Sequence, residues 1–351
     1  MNGSSDNQGT ALVLGASGGI GGEVARRLAR AGWTVRGLKR GLAAATVDAD
    51  GIAWMAGDAL DRADVARAAR GCAVIVHAVN PPGYRNWGRL VLPMLDNTVA
   101  AARANDALVV LPGTVYNYGP DAFPVIAEDA PQRPTTRKGE LRVQMEAALQ
   151  AHAADGGRVL IVRAGDYFGP HAGNSWFAQG LVKPGKPVRR IANPSAPGVG
   201  HQWAYLPDVA ATMVALIERR SELAPFARFH MQGHWDADGS AMCDAIRRVV
   251  ARRGGRAAAG AFPWWLVRLA TPFNETLREL WDMRYLWRRP VRLDNARLAA
   301  LLGAEPHTPL DDAVERTLGG LRCLPPARSQ SQTPVSSMAS IVAALTGRLN
   351  Q

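Results

Sequence analysis

The chain has 351 residues, 47% of them hydrophobic and 20% charged, with a formal net charge of +11. That is enough chain for one large α/β unit with a smaller lobe. No apolar run is long enough to span a bilayer. The positive charge is nearly all arginine, and no basic run is interleaved with stacking aromatics, which argues against a nucleic-acid partner. Cys72, Cys243 and Cys323 are odd in number and widely separated, so they give no metal spacing and indicate a reducing, cytoplasmic setting.

Residues 1–9 are polar and are expected to be disordered, with no apolar core of a signal peptide. Ala11–Leu14 reads as a strand and Gly22–Ala31 as a helix, with Gly15-Ala16-Ser17-Gly18-Gly19-Ile20-Gly21 between them. Strand, glycine turn and helix together form the context of a dinucleotide site. Gly15 takes the tight turn, Gly18 admits a pyrophosphate, and Gly21 lets helix and strand pack closely. The N–H groups around Ser17, Gly19 and Ile20 face the anion.

Further strands are expected at Thr34–Leu38, Ile52–Met55, Ala73–His77, Leu108–Leu111 and Arg158–Arg163. Helices are expected at Arg62–Arg70, Asn86–Asn105 and Thr136–Ala154. This alternation predicts a doubly wound parallel sheet, a Rossmann fold, over residues 10–169. After Gly169-Pro170 the pattern changes to a smaller, mainly helical substrate lobe spanning 170–324. Within it, 183–200 reads as loop, Pro207–Arg219 and Ser240–Arg253 as helices, and 228–231 as a strand returning to the core sheet. Residues 325–351 read as a flexible tail, with a short helix at Ser340–Leu349.

Residues 263–287 are dense in Trp, Leu and Arg. Phe273, Leu277, Trp281 and Tyr285 recur at i+4 and define one helical face. Three roles are open to it: a lid over an apolar pocket, a partner or membrane-surface helix, or core packing. His230 and His234 lie on a strand and a turn, where they do not converge, so no metal site is expected.

The end of the second strand carries Lys39 and Arg40 where an NAD-preferring site has a carboxylate. A cation there pairs with a 2′-phosphate, so NADP(H) is expected over NAD(H). Asp58, after the third strand, is placed to accept from the adenine amino group. Asp61 shares that role or caps the next helix. His77 and Ala78 end the fourth strand along the cofactor's path, where His77 is either structural or a cofactor contact.

These motifs resemble those of the extended short-chain dehydrogenase/reductases, the NAD-dependent epimerase/dehydratase family, over roughly residues 10–325. The resemblance rests on Gly15-x-x-Gly18-x-x-Gly21, Gly57-Asp58, His77-Ala78, Thr114 to Gly119, Arg163 to Pro170, and Tyr205-Leu206-Pro207-Asp208. It implies that Thr114, four residues before Tyr118, orients a substrate oxygen. It also implies a Tyr-x-x-x-Lys pair on the following helix. Counted from Thr114 and from Glu146, those positions hold Lys138 and Arg142, so the usual tyrosine is absent. Arg142 can still hold ribose hydroxyls. The proton then falls to Lys138 or to one of Tyr84, Tyr116, Tyr118 and Tyr167. Asn80, Tyr116, Tyr167, Asn174 and His201 are the candidate substrate contacts, with Trp176 and Phe177 lining an aromatic pocket. Asp208 is expected to anchor the lobe to the core. The family also implies a homodimer through the helices near 87–105 and 136–154.

The expected function is an NAD(P)(H)-dependent oxidoreductase or epimerase-like enzyme acting at a carbonyl or hydroxyl carbon of a small organic or sugar-like substrate. Two alternatives remain: an NADP(H)-binding redox sensor without turnover, and a membrane-surface lipid- or isoprenoid-modifying reductase.

Overall fold

The computed structural model describes residues 8–80, 87–273 and 275–324. Most of the N-terminal segment, Tyr84, the expected helix start at Asn86, and the tail with its Ser340–Leu349 helix lie outside the described residues. In the first half, strands β1 (Thr10–Leu14), β2 (Thr34–Lys39), β3 (Thr46–Val47), β4 (Ala53–Ala56), β5 (Val74–His77) and β6 (Leu108–Gly113) alternate with helices, except that β2, β3 and β4 follow one another directly. The helices are α1 (Gly19–Arg30), α2 (Arg62–Ala69) and α3 (Trp87–Asn105). Then come β7 (Val125–Ile126), α4 (Arg137–Ala154), β8 (Arg158–Arg163), β9 (Asp166–Phe168), β10 (Arg190–Asn193) and β11 (His201–Tyr205). Next are α5 (Leu206–Glu218), β12 (Phe226–His230), β13 (His234–Asp236), α6 (Ala241–Arg252) and β14 (Ala258–Ala261). The rest is α7 (Trp264–Ala270), α8 (Glu275–Asp282), β15 (Arg292–Leu293), α9 (Ala296–Leu302) and α10 (Leu310–Gly320).

Eight strands form one sheet in the order β12-β8-β6-β5-β1-β2-β4-β3. All neighbours are parallel except β3 with β4. Side chains alternate between the two faces of each strand. Ala11 and Val13 pack with Val24, Leu28 and Met213 under α1 and α5. Leu12 and Leu14 pack with Val65, Leu95 and Leu149 under α2, α3 and α4. Burial on both faces explains why these strands read as continuous apolar runs. The chain winds outward from β1 through β2 to β4, then returns to β5 and winds the other way. The reversal opens a crevice at the carboxyl ends of β1 and β5, where doubly wound sheets bind ligands.

The later segment folds mainly as helices around a second cluster that includes Phe168, Trp203, Ile246 and Trp287. A three-stranded sheet, β13-β11-β9, joins it to the core. Asp208 accepts from Thr308 N and Oγ1 at 2.7 Å each, tying α5 to the loop before α10. The expected loop at 183–200 contains β10, which pairs with β14. Its signal was too short to show periodicity, and the pairing partner lies far along the chain. The expected single helical face through Phe273 and Tyr285 does not form. The chain breaks between α7 and α8 at Thr271-Pro272, where proline lacks an N–H and disfavours helix in the residue before it. Phe273 is 90% exposed, while Tyr285 packs beneath. No helix among the described residues is long and apolar enough to cross a membrane.

Candidate functional site

A cavity of about 900 Å³ lies over the crevice at the carboxyl ends of the strands. The glycine turn forms its floor. Gly15 has φ +87°, and a Cβ there would sit 2.5 Å from Ala78 O. A Cβ on Gly21 would sit 2.2 Å from Gly15 O, so the turn and α1 can close only on glycine. Gly15, Ser17, Gly18, Gly19 and Ile20 line the cavity, while Gly21 is buried beneath it. The first turn of α1 carries no acidic residue and no side-chain cap. Its free N–H groups and positive dipole end therefore suit an anionic group such as a pyrophosphate.

Lys39 and Arg40 lie on one rim of the cavity and are solvent-exposed. Lys39 Nζ is 5.7 Å from the Trp54 ring centre. Arg40 is 3.8 Å from Asp58 Oδ2, and Asp58 Oδ1 accepts from Leu60 N at 3.0 Å. Asp61 is the N-cap of α2, accepting from Ala63 N and Asp64 N.

His77, Ala78 and Asn80 line the middle of the cavity. Thr98 Oγ1 donates to Met94 O at 3.0 Å, so it accepts from His77 Nδ1 at 2.7 Å. His77 therefore carries a proton on Nδ1, and its Nε2 is bare and buried. Burial, reinforced by the Arg142 charge, pushes its pKa down to about 3. The Asn80 side-chain oxygen accepts from Trp87 Nε1.

Thr136 caps α4, accepting from Gly139 N at 3.1 Å. Lys138 and Arg142 follow one turn apart and both line the cavity. Arg142 lies over the Trp87 ring, 5.2 Å from its centre. Lys138 Nζ pairs with Glu279 Oε2 of α8 at 3.0 Å, both side chains largely covered. The next residue on this face, Glu146, holds the fully buried Arg163, whose Nε donates to Oε1 at 2.9 Å. Gln132 Nε2 also donates to Glu146 at 2.6 Å.

Thr114 lines the cavity, and its Oγ1 accepts from Tyr116 N at 3.3 Å. Tyr116 and Tyr167 also line it. Tyr116 OH donates to Asp166 Oδ1 at 3.1 Å, and Tyr167 OH donates to Gly113 O at 3.0 Å. His201 does not line the cavity. It stacks on Trp287, 3.7 Å between ring centres, and its Nε2 lies 2.9 Å from Asp166 Oδ2. Its contact with the site runs through Asp166, which does line the cavity. Tyr118 does not reach the cavity either. It is fully buried against His230 and the Arg163 guanidinium, its hydroxyl has no partner, and burial pushes its pKa up to about 12.

Asn174 lies on the outer rim and accepts from Gln179 Nε2 at 2.8 Å. Trp176 lines the cavity, whereas Phe177 is buried behind it. The Trp-rich segment covers this end: Phe262, Val267, Leu277, Leu280 and Met283 face the cavity. Trp265, Leu266 and Leu269 of α7 point outward and are exposed. Asp166 and Glu279 are positions at the cavity that the sequence left unmarked, while the inner face of α7 and α8 falls in the segment for which a lid was one of three expected roles. Asp166 stood inside a recognised motif but had no assigned role. Glu279 lies 141 residues from Lys138 (279 − 138), and no local pattern signals that pairing.

The profile of the NAD dependent epimerase/dehydratase family matches residues 11–229. No curated protein matches the chain. Among solved structures, MoeE5 in complex with UDP-glucuronic acid and NAD is 17% identical, covering 90% of this chain and 99% of its own, with a TM-score of 0.67. A UDP-glucose 4-epimerase from Stenotrophomonas maltophila, with bound NAD and formylated UDP-arabinopyranose, is 16% identical, covering 90% and 98%, with a TM-score of 0.68. A putative epimerase from Burkholderia cenocepacia J2315 is 20% identical, covering 89% and 98%, with a TM-score of 0.65. Identities this low establish the shared fold.

Proposed function

The chain belongs to the NAD-dependent epimerase/dehydratase family, and from that membership we propose that it is a dinucleotide-dependent oxidoreductase or epimerase-like enzyme. Its reaction centre is a carbonyl or hydroxyl carbon of a small organic substrate. The observation that carries this reading is the single cavity running from the glycine turn, past Lys39 and Arg40, to Thr114, Tyr116 and Asp166. The Gly15–Gly21 turn, filled by any Cβ, and the uncapped start of α1 fit a pyrophosphate. Lys39 and Arg40 support a preference for NADP(H) over NAD(H). Asp58 is the candidate contact for the adenine end and Arg142 for the ribose hydroxyls.

When bound, the nicotinamide cofactor supplies or takes up a hydride at the substrate carbon. The chain's own residues then have three tasks. The Thr114 hydroxyl orients the substrate oxygen. Lys138, paired with Glu279, presents its ammonium beside Arg142 and fixes α8 over the site. Tyr116 handles the proton at the substrate oxygen, with Asp166 accepting from its hydroxyl and His201 holding Asp166 in place. Turnover of NADPH against a carbonyl panel tests the reading and separates it from a sensor that binds without turnover. Retention of full activity in Tyr116→Phe removes the proton assignment.

The exposed Trp265, Leu266, Leu269 and Phe273 favour a second reading, in which the enzyme works on a membrane surface. Failure to co-sediment with anionic liposomes disposes of it. The three cysteines, all free and buried, support a cytosolic location. We retain a homodimer through α3 and α4 as part of the proposal, to be tested by light scattering.

A further inference from the structure

The substrate end of the cavity has a chemical character that the dinucleotide end lacks. Among the described residues of 169–324, no lysine, arginine, aspartate or glutamate lines the cavity, and its polar side chains there are His171, Asn174, Ser175 and Gln179. The charges of the lid lie elsewhere. Arg268 is exposed, 6.0 Å from the Trp281 ring centre, and Arg284 lies over the same ring at 4.6 Å. Arg278 is exposed, and Glu279 is occupied by Lys138. The inward positions are Val267, Leu277, Leu280 and Met283. α7 and α8 therefore sort their residues, with apolar side chains facing the cavity and arginines kept out of it.

Beside this face stands an aromatic cluster. Trp176, which lines the cavity, packs edge-on to Phe262 at 6.0 Å and to Trp287 at 5.0 Å. Three charged side chains of the core border the compartment. Asp166 brings a carboxyl group, Lys138 is paired with Glu279, and Arg142, the candidate contact for the ribose hydroxyls, lies over the Trp87 ring. A nucleoside diphosphate needs cationic or N–H partners for its phosphates when it leaves water. The lobe's lining offers no lysine or arginine for that task, only the polar side chains of His171, Asn174, Ser175 and Gln179 beside the hydrocarbon of the lid.

We propose that the substrate is a largely apolar alcohol or ketone, with a ring or branched hydrocarbon body seated between Trp176 and the α7–α8 lid, and not a sugar nucleotide. The inference rests on the proposed function, since it concerns the substrate of that same site. The oxygen-bearing carbon lies toward Thr114 and Tyr116, and the hydrocarbon toward Val267, Leu280 and Met283. Apolar side chains around a few convergent polar groups are the usual build of such a pocket.

The test uses the full-length protein saturated with NADP+. Tryptophan emission is followed during titration with trans-1-decalone as the apolar ketone and with UDP-glucose as the nucleotide sugar. Trp176 supplies the local reporter. The expected result is a saturable change with the ketone and at least tenfold weaker binding of UDP-glucose. Val267→Thr and Leu280→Asp should each weaken the ketone and not strengthen it, with the charge costing more than tenfold. Val267→Thr is nearly isosteric, so it keeps the test open if Leu280→Asp does not fold. Tighter binding of UDP-glucose, or no response to the ketone in the dinucleotide-bound protein, overturns the inference alone. Failure of NADP+ and NAD+ to bind at all overturns the proposed function on which it stands.

Discussion

Acidification from about pH 7.5 to about pH 5 should weaken the fold strongly, because three histidines are buried as neutral rings. His77 is 2% exposed, His230 is fully buried and His234 is 7% exposed. Their pKa values are pushed down to about 3, 3 and 4 respectively, in each case chiefly by burial. Arg142 adds to the effect at His77, Arg163 at His230 and His307 at His234. The tautomers agree with this. His230 Nε2 lies 2.9 Å from Arg163 Nη1, a donor, and so must accept, while Nδ1 donates to Ile126 O at 3.2 Å. Unfolded histidine titrates near 6.5, so below that value the unfolded chain binds protons that the native chain refuses. Stability is therefore complete above about pH 6.5 and is lost as pH falls toward the folded values. At about pH 5 each ring contributes a loss of about 2 kcal/mol, or about 6 kcal/mol together, a large share of a typical fold's 5–15 kcal/mol. Urea unfolding followed by circular dichroism at both pH values measures this. His77→Gln should remove about a third of the pH dependence, whatever it does to absolute stability. A stability that is flat across this window would refute the assignment of neutral, buried rings.

Other outcomes follow from the cavity. Gly21→Ala places a Cβ 2.2 Å from Gly15 O, and calorimetry should show dinucleotide affinity reduced by about 100-fold or more, about 2.7 kcal/mol. Lys39→Asp with Arg40→Asn should cost about tenfold in NADPH affinity, about 1.4 kcal/mol, with little loss for NADH. Equal losses for the two cofactors would remove these residues as the phosphate contact. Tyr116→Phe should lower kcat by about 100-fold, the low end for general acid–base catalysis, with a smaller change in KM. Glu146→Gln leaves the buried Arg163 without its counter-charge and should lower stability by about 3 kcal/mol, read by thermal unfolding.

The sheet was legible in the sequence because strands buried on both faces leave unbroken apolar runs, as in Ala11–Leu14 and Arg158–Arg163. The glycine turn was legible because closure between Gly15 and Gly21 tolerates no Cβ. The lid was not. Thr271-Pro272 breaks a face that periodicity alone had joined, so Phe273 and Tyr285 part company. Nor was the site's electrostatic pairing. Lys138 meets Glu279, and Asp166 meets Tyr116 and His201, across separations that no local pattern encodes. Tyr118 illustrates the reverse error: a tyrosine in the expected motif is spent on packing, while Tyr116, two residues earlier, faces the cavity. Short strands such as β10 and β14 depend on each other and carry no signal alone.

The most direct measurement is isothermal titration of the full-length protein with NADPH and, separately, with NADH. The account predicts saturable binding of one dinucleotide per chain, tighter for NADPH, and weakened by about 100-fold or more in Gly21→Ala. Heat-silent titrations with no thermal stabilisation by either cofactor would contradict it at its root.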